Sequence, residues 1–267
     1  MELFLKSLAL EAAIEAGIAI MEVYNRNFNV VKKTDNSPLT EADVQAHTII
    51  SAVLNKSGIP ILSEEGTQTP YATRSEWGQF WIVDPLDGTK EFVKRNGEFT
   101  VNIALIVKNK PVFGVIYAPF KNAIYAGGLE IQSSYKLINP KRNLSWDVLV
   151  KNGSLLKRKQ KRFEELQDVK VITSRSHLNA YTEQFIEELQ VAGKKIELIS
   201  SGSALKFCLI AEGKADVYPR FAPCMEWDTA AGDAICQGVG KGVYKENTSE
   251  KLLYNKESLL SPNFVAY

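Results

Sequence analysis

The chain has 267 residues, 45% of them apolar, enough for one large domain or two packed ones with a full core. Lys and Arg total 32 against 31 Asp and Glu, so a formal net charge of +1 removes any global pull toward nucleic acid or an anionic membrane. Two histidines, His47 and His177, exclude a multi-histidine metal centre. The three cysteines, Cys208, Cys224 and Cys236, match no zinc ribbon and fit reduced thiols in a cytoplasmic protein.

In chain order, residues 2–24 read as an amphipathic helix with Leu5, Leu8, Ala12, Glu15, Ala19 and Val23 at spacings of three to four. Glu2, Lys6, Glu11 and Glu15 break its apolar run, so neither a signal peptide nor a membrane span is expected. Lys33 to Pro38 is turn chemistry containing Asp35, an acidic residue in a polar loop with no obvious local duty. Thr40 is the expected N-cap of a second helix running to about Leu54, with Asp43 closing a capping box. Ala46, Ile49, Ile50, Val53 and Leu54 form its buried face. Residues 59–62 are a short buried strand that gives out at Ser63-Glu64-Glu65-Gly66.

The most informative stretch is Trp81-Ile82-Val83-Asp84-Pro85-Leu86-Asp87-Gly88-Thr89-Lys90-Glu91-Phe92. Its apolar start reads as the end of a buried strand. The strand is expected to stop at Asp84-Pro85, because proline has no donor for a sheet ladder. Asp87-Gly88 then turns the chain. Two carboxylates three positions apart at a strand mouth repel each other, and Lys90 is the nearest cation along the chain. A divalent cation is the simplest way to hold them together, and oxygen ligands favour magnesium, manganese or calcium.

Beyond Phe92 come short strands at 100–107, 111–118, 123–126 and 135–138, read as an antiparallel sheet, with 146–150 as a further strand. The basic run Lys157-Arg158-Lys159-Gln160-Lys161-Arg162 reads as a solvated loop near a domain junction. The remainder alternates: strands at 169–173, 196–199 and 215–218, helices at 179–191, 203–212 and 228–239, indicating an α/β layer. Three of its junctions open helices with polar residues. Ser174-Arg175-Ser176-His177 and Ser200-Ser201-Gly202-Ser203 are candidate anion sites, the latter with Lys206 one turn in. At the third, Asp228 reads as an N-cap able to join an acidic cluster with Glu64, Asp84, Asp87 and Asp35.

Asp84-Pro-Leu-Asp-Gly-Thr89, Trp227-Asp-Thr-Ala-Ala-Gly232 and Ser63-Glu-Glu65 together resemble the signatures of the inositol monophosphatase superfamily, in the family's order and across nearly the whole chain. Residues 33–43, Ser174-Arg-Ser-His177, Gly202-Ser-Ala-Leu-Lys206 and Tyr218-Pro-Arg-Phe221 further resemble its branch of CysQ-type 3′(2′),5′-bisphosphate nucleotidases. Residues 125–128 fit the family's glycine-rich pattern less well.

The resemblance implies an α/β (α+β) fold, a layered αβαβα sandwich with an N-terminal part at 1–165 and a C-terminal part at 166–267. It also implies two to three Mg2+ ions. Glu64, Asp84 and the Leu86 carbonyl would hold one, Asp84, Asp87 and Asp228 a second, and a weaker third would lie near Glu64 and Asp35. Thr89 with Asp35 would orient and deprotonate the attacking water, and the Gly88 and Thr89 amides would contact the scissile phosphate. His177, Ser203, Lys206 and Arg220 would contact the nucleotide, the two cations taking the phosphate that is retained.

The implied activity is hydrolysis of adenosine 3′,5′-bisphosphate to AMP, extending to 3′-phosphoadenylyl sulfate, in the clearance of a sulfate-assimilation by-product and with inhibition by lithium. Inositol-1-phosphate hydrolysis, a sugar bisphosphatase and a non-catalytic nucleotide sensor are the alternatives. The implied partner is a small nucleotide, not a nucleic acid polymer. The chain would be a monomer or homodimer in the cytoplasm, with peripheral attachment to the inner membrane left open.

Overall fold

A computed structural model describes residues 2–32, 38–67, 69–157, 163–173 and 179–267. The expectations placed on Asp35 and its turn, on residues 158–162 and on Ser174 to His177 lie outside these described residues.

The chain begins with α1 (Leu3–Tyr24), a hairpin of β1 (Val30–Lys32) and β2 (Pro38–Thr40), and α2 (Glu41–Leu54). Next come β3 (Ile61–Ser63), the single turn α3 (Tyr71–Arg74), β4 (Gln79–Asp87) and the short α4 (Thr89–Val93). Four antiparallel strands follow: β5 (Thr100–Val107), β6 (Lys110–Ala118), β7 (Ala123–Gly128) and β8 (Ser133–Ile138). Then α5 (Trp146–Asn152) leads into β9 (Ser154–Leu155). The C-terminal portion contains β10 (Asp168–Thr173), α6 (Ala180–Val191), β11 (Lys195–Ser200), α7 (Leu205–Ala211), β12 (Tyr218–Arg220), α8 (Glu226–Gly238), β13 (Val243–Lys245) and β14 (Phe264–Ala266).

Strands β3 to β9 form one seven-stranded sheet in sequence order, antiparallel except for the β3–β4 pair. Side-chain alternation splits it between two cores. Trp81, Val83, Val101, Ile103, Leu105, Val115 and Ile124 face α1 and α2, while Phe80, Ile82, Ala104, Ile106, Ile116 and Tyr125 face α7 and α8. A second sheet is built from β10 and β11 in parallel, a bridge from Val171 to Val217, and the order β12-β14-β13. Ile172, Tyr218 and Phe264 face α7 and α8, and Val169, Val171 and Val217 face α6. The layers therefore run α1/α2, large sheet, α7/α8, small sheet, α6, the αβαβα sandwich that the sequence implies.

Close contact between α8 and the large sheet needs small residues. A Cβ on Gly114 of β6 would stand 2.3 Å from the Ala231 carbonyl oxygen, so any side chain there would lift the helix that carries Asp228.

The structure revises four local expectations. α1 is buried on more than a stripe: Leu8, Ala9, Leu10, Ala12, Ala13, Ile14 and Ala16 are all buried. Glu15, expected on that stripe, instead pairs with Arg142 at 3.0 Å. Packing against α2, the sheet and α5 requires this apolar breadth. Residues 146–152 form a helix rather than a strand, because the Ser145 side chain caps it from Val148 N, with Asp147 in its first turn and Lys151 in its last. Strand β4 does not stop at Pro85 but continues to Asp87 through a bulge. Finally, Asp228 is not an N-cap: it is the third residue of α8, and Met225 occupies the cap position.

Candidate active site

The bulge in β4 creates the acidic site. In a regular strand, residues three apart point to opposite faces. Here Asp84 pairs with Asn102 and Asp87 with Thr100, so three steps on β4 match two on β5. The extra residue brings both aspartates to the same side. Pro85 falls where the ladder is already interrupted, so its missing N–H costs nothing. Leu86 N donates to Asp84 Oδ1 at 3.0 Å, closing the bulge. Gly88, with φ +91°, then reverses the chain into α4, a backbone conformation that favours glycine.

Asp228 arrives from α8 on the other side. Ligand oxygens of Asp84, Asp87 and Asp228 lie within 4.8 Å of one another. Protein hydrogen bonds fall on one oxygen of each. Asp87 Oδ2 accepts from Ala204 N at 2.6 Å and Asn102 Nδ2 at 3.2 Å, and Asp228 Oδ2 accepts from Met225 N at 2.9 Å and the Cys224 thiol at 3.4 Å. Glu64 N donates to the Val83 carbonyl at 3.1 Å, extending the parallel β3–β4 register so that Glu64 runs beside Asp84. Its charge acts on Asp84, although it lies outside the three-carboxylate group.

Burial, followed by the charges of Glu64, Asp87 and Asp228, pushes the Asp84 carboxyl far above its ordinary range. Burial and then Asp228 raise Asp87 to about 6, opposed by Lys206 and the hydrogen bonds from Asn102 and Ala204. Such crowding disfavours three charges at neutral pH unless a cation joins them. An all-oxygen donor set suits a hard divalent ion, so these residues fit the metal that the sequence implies.

The nearest charge compensation comes from Lys206, not Lys90. Lys90 is exposed, whereas Lys206 is 6% exposed, with Nζ donating to the Ser203 carbonyl at 2.6 Å and lying 5.4 Å from the Tyr218 ring centroid. Burial lowers its pKa, and Asp87 works in the opposite direction. Arg220 completes the cationic side, its guanidinium within the field of Asp228 and Asp87. Arg220 Nη2 donates to the Pro223 carbonyl at 2.9 Å, and its buried Nε has no hydrogen-bond partner among the described residues. Ser203 Oγ is likewise buried and unpartnered among the described residues. Buried donors of this kind call for a ligand.

Thr89 opens α4, and its hydroxyl lies 3.1 Å from Asp43 Oδ1 and 3.2 Å from the Leu86 carbonyl. Among the described residues the carboxylate partner of Thr89 is thus Asp43; Asp35, which the resemblance placed with Thr89, lies outside them. Asp43 also closes the predicted capping box: Oδ2 accepts from Thr40 N and Thr40 Oγ1, each at 2.7 Å. Its two oxygens serve two duties, so capping and a role in the site do not compete. Burial raises its pKa against the pull of these hydrogen bonds. The local signal for Asp43 was absorbed by the capping pattern, and only the packing of α2 beside α4 shows the second contact.

Sequence reasoning also missed Glu226, which is fully buried at the first turn of α8. It accepts from Asn255 N at 2.6 Å and Lys256 N at 3.1 Å, and the Lys256 ammonium pairs with it. Arg74 grips the same loop, donating to Asn255 Oδ1 at 2.9 Å and the Glu257 carbonyl at 2.7 Å. This network fixes the helical turn that carries Asp228.

The inositol monophosphatase family matches residues 4–265. The chain belongs to that family. Its metal-dependent phosphatases account for the acidic cluster just described. Among members of the family, the 3′(2′),5′-bisphosphate nucleotidase CysQ of Escherichia coli K12 is 41% identical over 258 residues, covering 95% of this chain and 96% of its own length. The corresponding CysQ of Buchnera aphidicola is 39% identical, covering 94% and 88%. The crystal structure of CysQ from Bacteroides thetaiotaomicron, at 46% identity, superposes with a TM-score of 0.85, covering 97% of this chain and 95% of that one. No helix among the described residues is long and apolar enough to cross a membrane.

Proposed function

We propose that this family member is a magnesium-dependent 3′(2′),5′-bisphosphate nucleotidase that hydrolyses adenosine 3′,5′-bisphosphate to AMP and phosphate. Similarity to the curated CysQ enzymes along almost the whole chain supports the reaction. The observation that carries the substrate assignment is a pair of cations, the buried Lys206 and the half-buried Arg220, beside Asp87 and Asp228. A monophosphate ester is neutralised by the metal cluster alone. A bisphosphate brings a second dianion that needs cations elsewhere. This favours the nucleotide over inositol 1-phosphate.

In this reading Asp84, Asp87 and Asp228, with Glu64 and the Leu86 carbonyl, would hold two ions. When bound, these ions supply the positive charge that offsets repulsion between the attacking oxygen and the phosphate, and that stabilises the leaving oxygen. The chain's own residues manage the proton and the alignment. Thr89 Oγ, donating to Asp43 Oδ1, presents a lone pair to a water in line with the phosphorus. As the water oxygen forms its bond to phosphorus, its proton passes toward Thr89 and Asp43, and the bond to the 3′-oxygen breaks, that oxygen keeping the bonding pair and taking a proton from solvent to become the 3′-hydroxyl of AMP. The Gly88 and Thr89 amides at the start of α4 orient the scissile phosphate. Ser203, Lys206 and Arg220 hold the nucleotide and its retained phosphate. Residues from both parts of the chain, 1–165 and 166–267, complete the site. His177 and Asp35 remain candidates on sequence resemblance alone, as does a third ion.

The test is phosphate release with magnesium from adenosine 3′,5′-bisphosphate and inositol 1-phosphate in parallel. A strong preference for the nucleotide is expected. A preference for inositol phosphate would leave the metal chemistry standing and remove Lys206 and Arg220 from the role of a second-phosphate clamp.

A further inference from the structure

Glu98 lies in the connection between α4 and β5, close along the chain to the aspartates of β4. Its Oε2 accepts a hydrogen bond from Gly202 N at 2.9 Å, reaching across to the loop between β11 and α7. Two residues further on, Ala204 N donates to Asp87 Oδ2 at 2.6 Å. Two carboxylates from the N-terminal part of the chain therefore grip alternate amides of one C-terminal loop.

Between those amides sits Ser203, with φ +45°, a conformation that residues with a Cβ rarely adopt. Such a backbone persists only where its surroundings over-determine it. Here they do. Besides the two amide clamps, the Ser203 carbonyl accepts from Lys206 Nζ at 2.6 Å. The loop is also pressed against its neighbours. A Cβ on Gly202 would come within 3.1 Å of Glu98, and one on Gly88 within 3.2 Å of Ser203 Cβ. The product of this strain is a buried Ser203 Oγ, unpartnered among the described residues, and a Lys206 ammonium anchored to the same residue.

We infer that Glu98 is a positioning residue for substrate: by fixing the Gly202 amide it holds Ser203 and Lys206 in the geometry that receives the part of the substrate beyond the scissile phosphate. The inference rests on the nucleotidase reading for the identity of that substrate. Glu98 acts on the loop and not on the reacting atoms, so its loss affects binding before chemistry.

The experiment compares Glu98→Ala and Glu98→Gln with the wild type on adenosine 3′,5′-bisphosphate and inositol 1-phosphate, with a melting temperature for each protein. Wild-type preference between the two esters decides the nucleotidase reading by itself. The variants are read on whichever ester the wild type cleaves better, so one reading can fail while the other stands. Expected for Glu98→Ala is a rise in KM of about tenfold with kcat within about twofold, because the lost contact orients substrate without touching the transferred group. Glu98→Gln keeps an oxygen acceptor for Gly202 N and is expected to restore most of the KM. An unchanged KM in Glu98→Ala would overturn the inference. So would a fall in kcat that tracks a lowered melting temperature and is not rescued by glutamine.

Discussion

Replacing Asp43 with asparagine separates two duties that the structure assigns to one side chain. The cap requires an acceptor for Thr40 N, and the asparagine carbonyl supplies one at the position where Oδ2 now accepts at 2.7 Å. The change also removes a buried charge that burial already disfavours. Loss of stability is therefore expected to stay within about 1 kcal/mol, the scale of a typical cap. The duty toward Thr89 has no substitute. An amide NH2 facing the hydroxyl donates where Asp43 Oδ1 accepts, so Thr89 can no longer pass a proton in that direction. Removing a positioned base lowers turnover by about 10²- to 10⁴-fold. The assay is steady-state hydrolysis of adenosine 3′,5′-bisphosphate for Asp43→Asn, Thr89→Val and the double variant, with melting curves alongside. Because the two residues act as a unit, the double variant is expected to be no worse than the poorer single one. Wild-type kcat in Asp43→Asn, or multiplicative losses in the double variant, would refute the proposed proton path from Thr89 to Asp43.

Other outcomes follow from the same geometry. Asp87→Asn is expected to abolish turnover while leaving the fold intact, and to reduce the rise in melting temperature on adding magnesium; full activity in that variant would remove Asp87 from the metal site. Arg220→Ala is expected to raise KM for the bisphosphate far more than for a monophosphate, and equal losses on both would remove Arg220 from the specificity role. Asp233, buried in α8, accepts from Gln237 Nε2 at 2.9 Å and the Tyr254 hydroxyl at 3.0 Å, and burial lifts its carboxyl to about 6. A folded-state pKa above the unfolded value means that the native state binds the proton more tightly. The associated stability is present below about pH 4 and is lost as the pH rises through 6, a contribution of about 3 kcal/mol for a shift of this size. Denaturant titrations from pH 4 to 7 are expected to show this slope in the wild type and a flatter one in Asp233→Asn, and identical profiles would refute the assignment.

Much of the site was legible because its motifs are local. The DPLDGT stretch, the Glu64 turn and the start of α8 each announce an acidic residue where a regular element begins or ends, and of the five acidic residues read as one cluster the structure brings Asp84, Asp87 and Asp228 together. Partnerships between segments were harder to read. Lys90 is nearest to the aspartates along the chain, yet the cation beside them is Lys206, which arrives with α7 from the far half. Asp43 looked fully explained by its cap because a capping box is visible within four residues, whereas its contact with Thr89 spans 46 residues. Segment 146–152 shows an apolar run too short for its periodicity to separate strand from helix, and the Ser145 cap decides it.

The layered sandwich came with the family resemblance; the sequence by itself determined most of the strands and helices, an antiparallel sheet followed by an α/β layer, and the oxygen-rich chemistry that calls for a divalent metal. These follow from short-range rules: period-2 and period-3.6 patterning, turn residues, and the hardness of carboxylate donors. Only the tertiary structure decided that a bulge in β4 turns Asp84 and Asp87 to one side, that Asp43 receives Thr89, and that Glu98 and Asp87 hold the strained Ser203 loop. Each of these depends on register, or on contacts between segments far apart in the chain. Such contacts arise when the apolar faces of the sheets and helices are buried together, and no local pattern of residues encodes them.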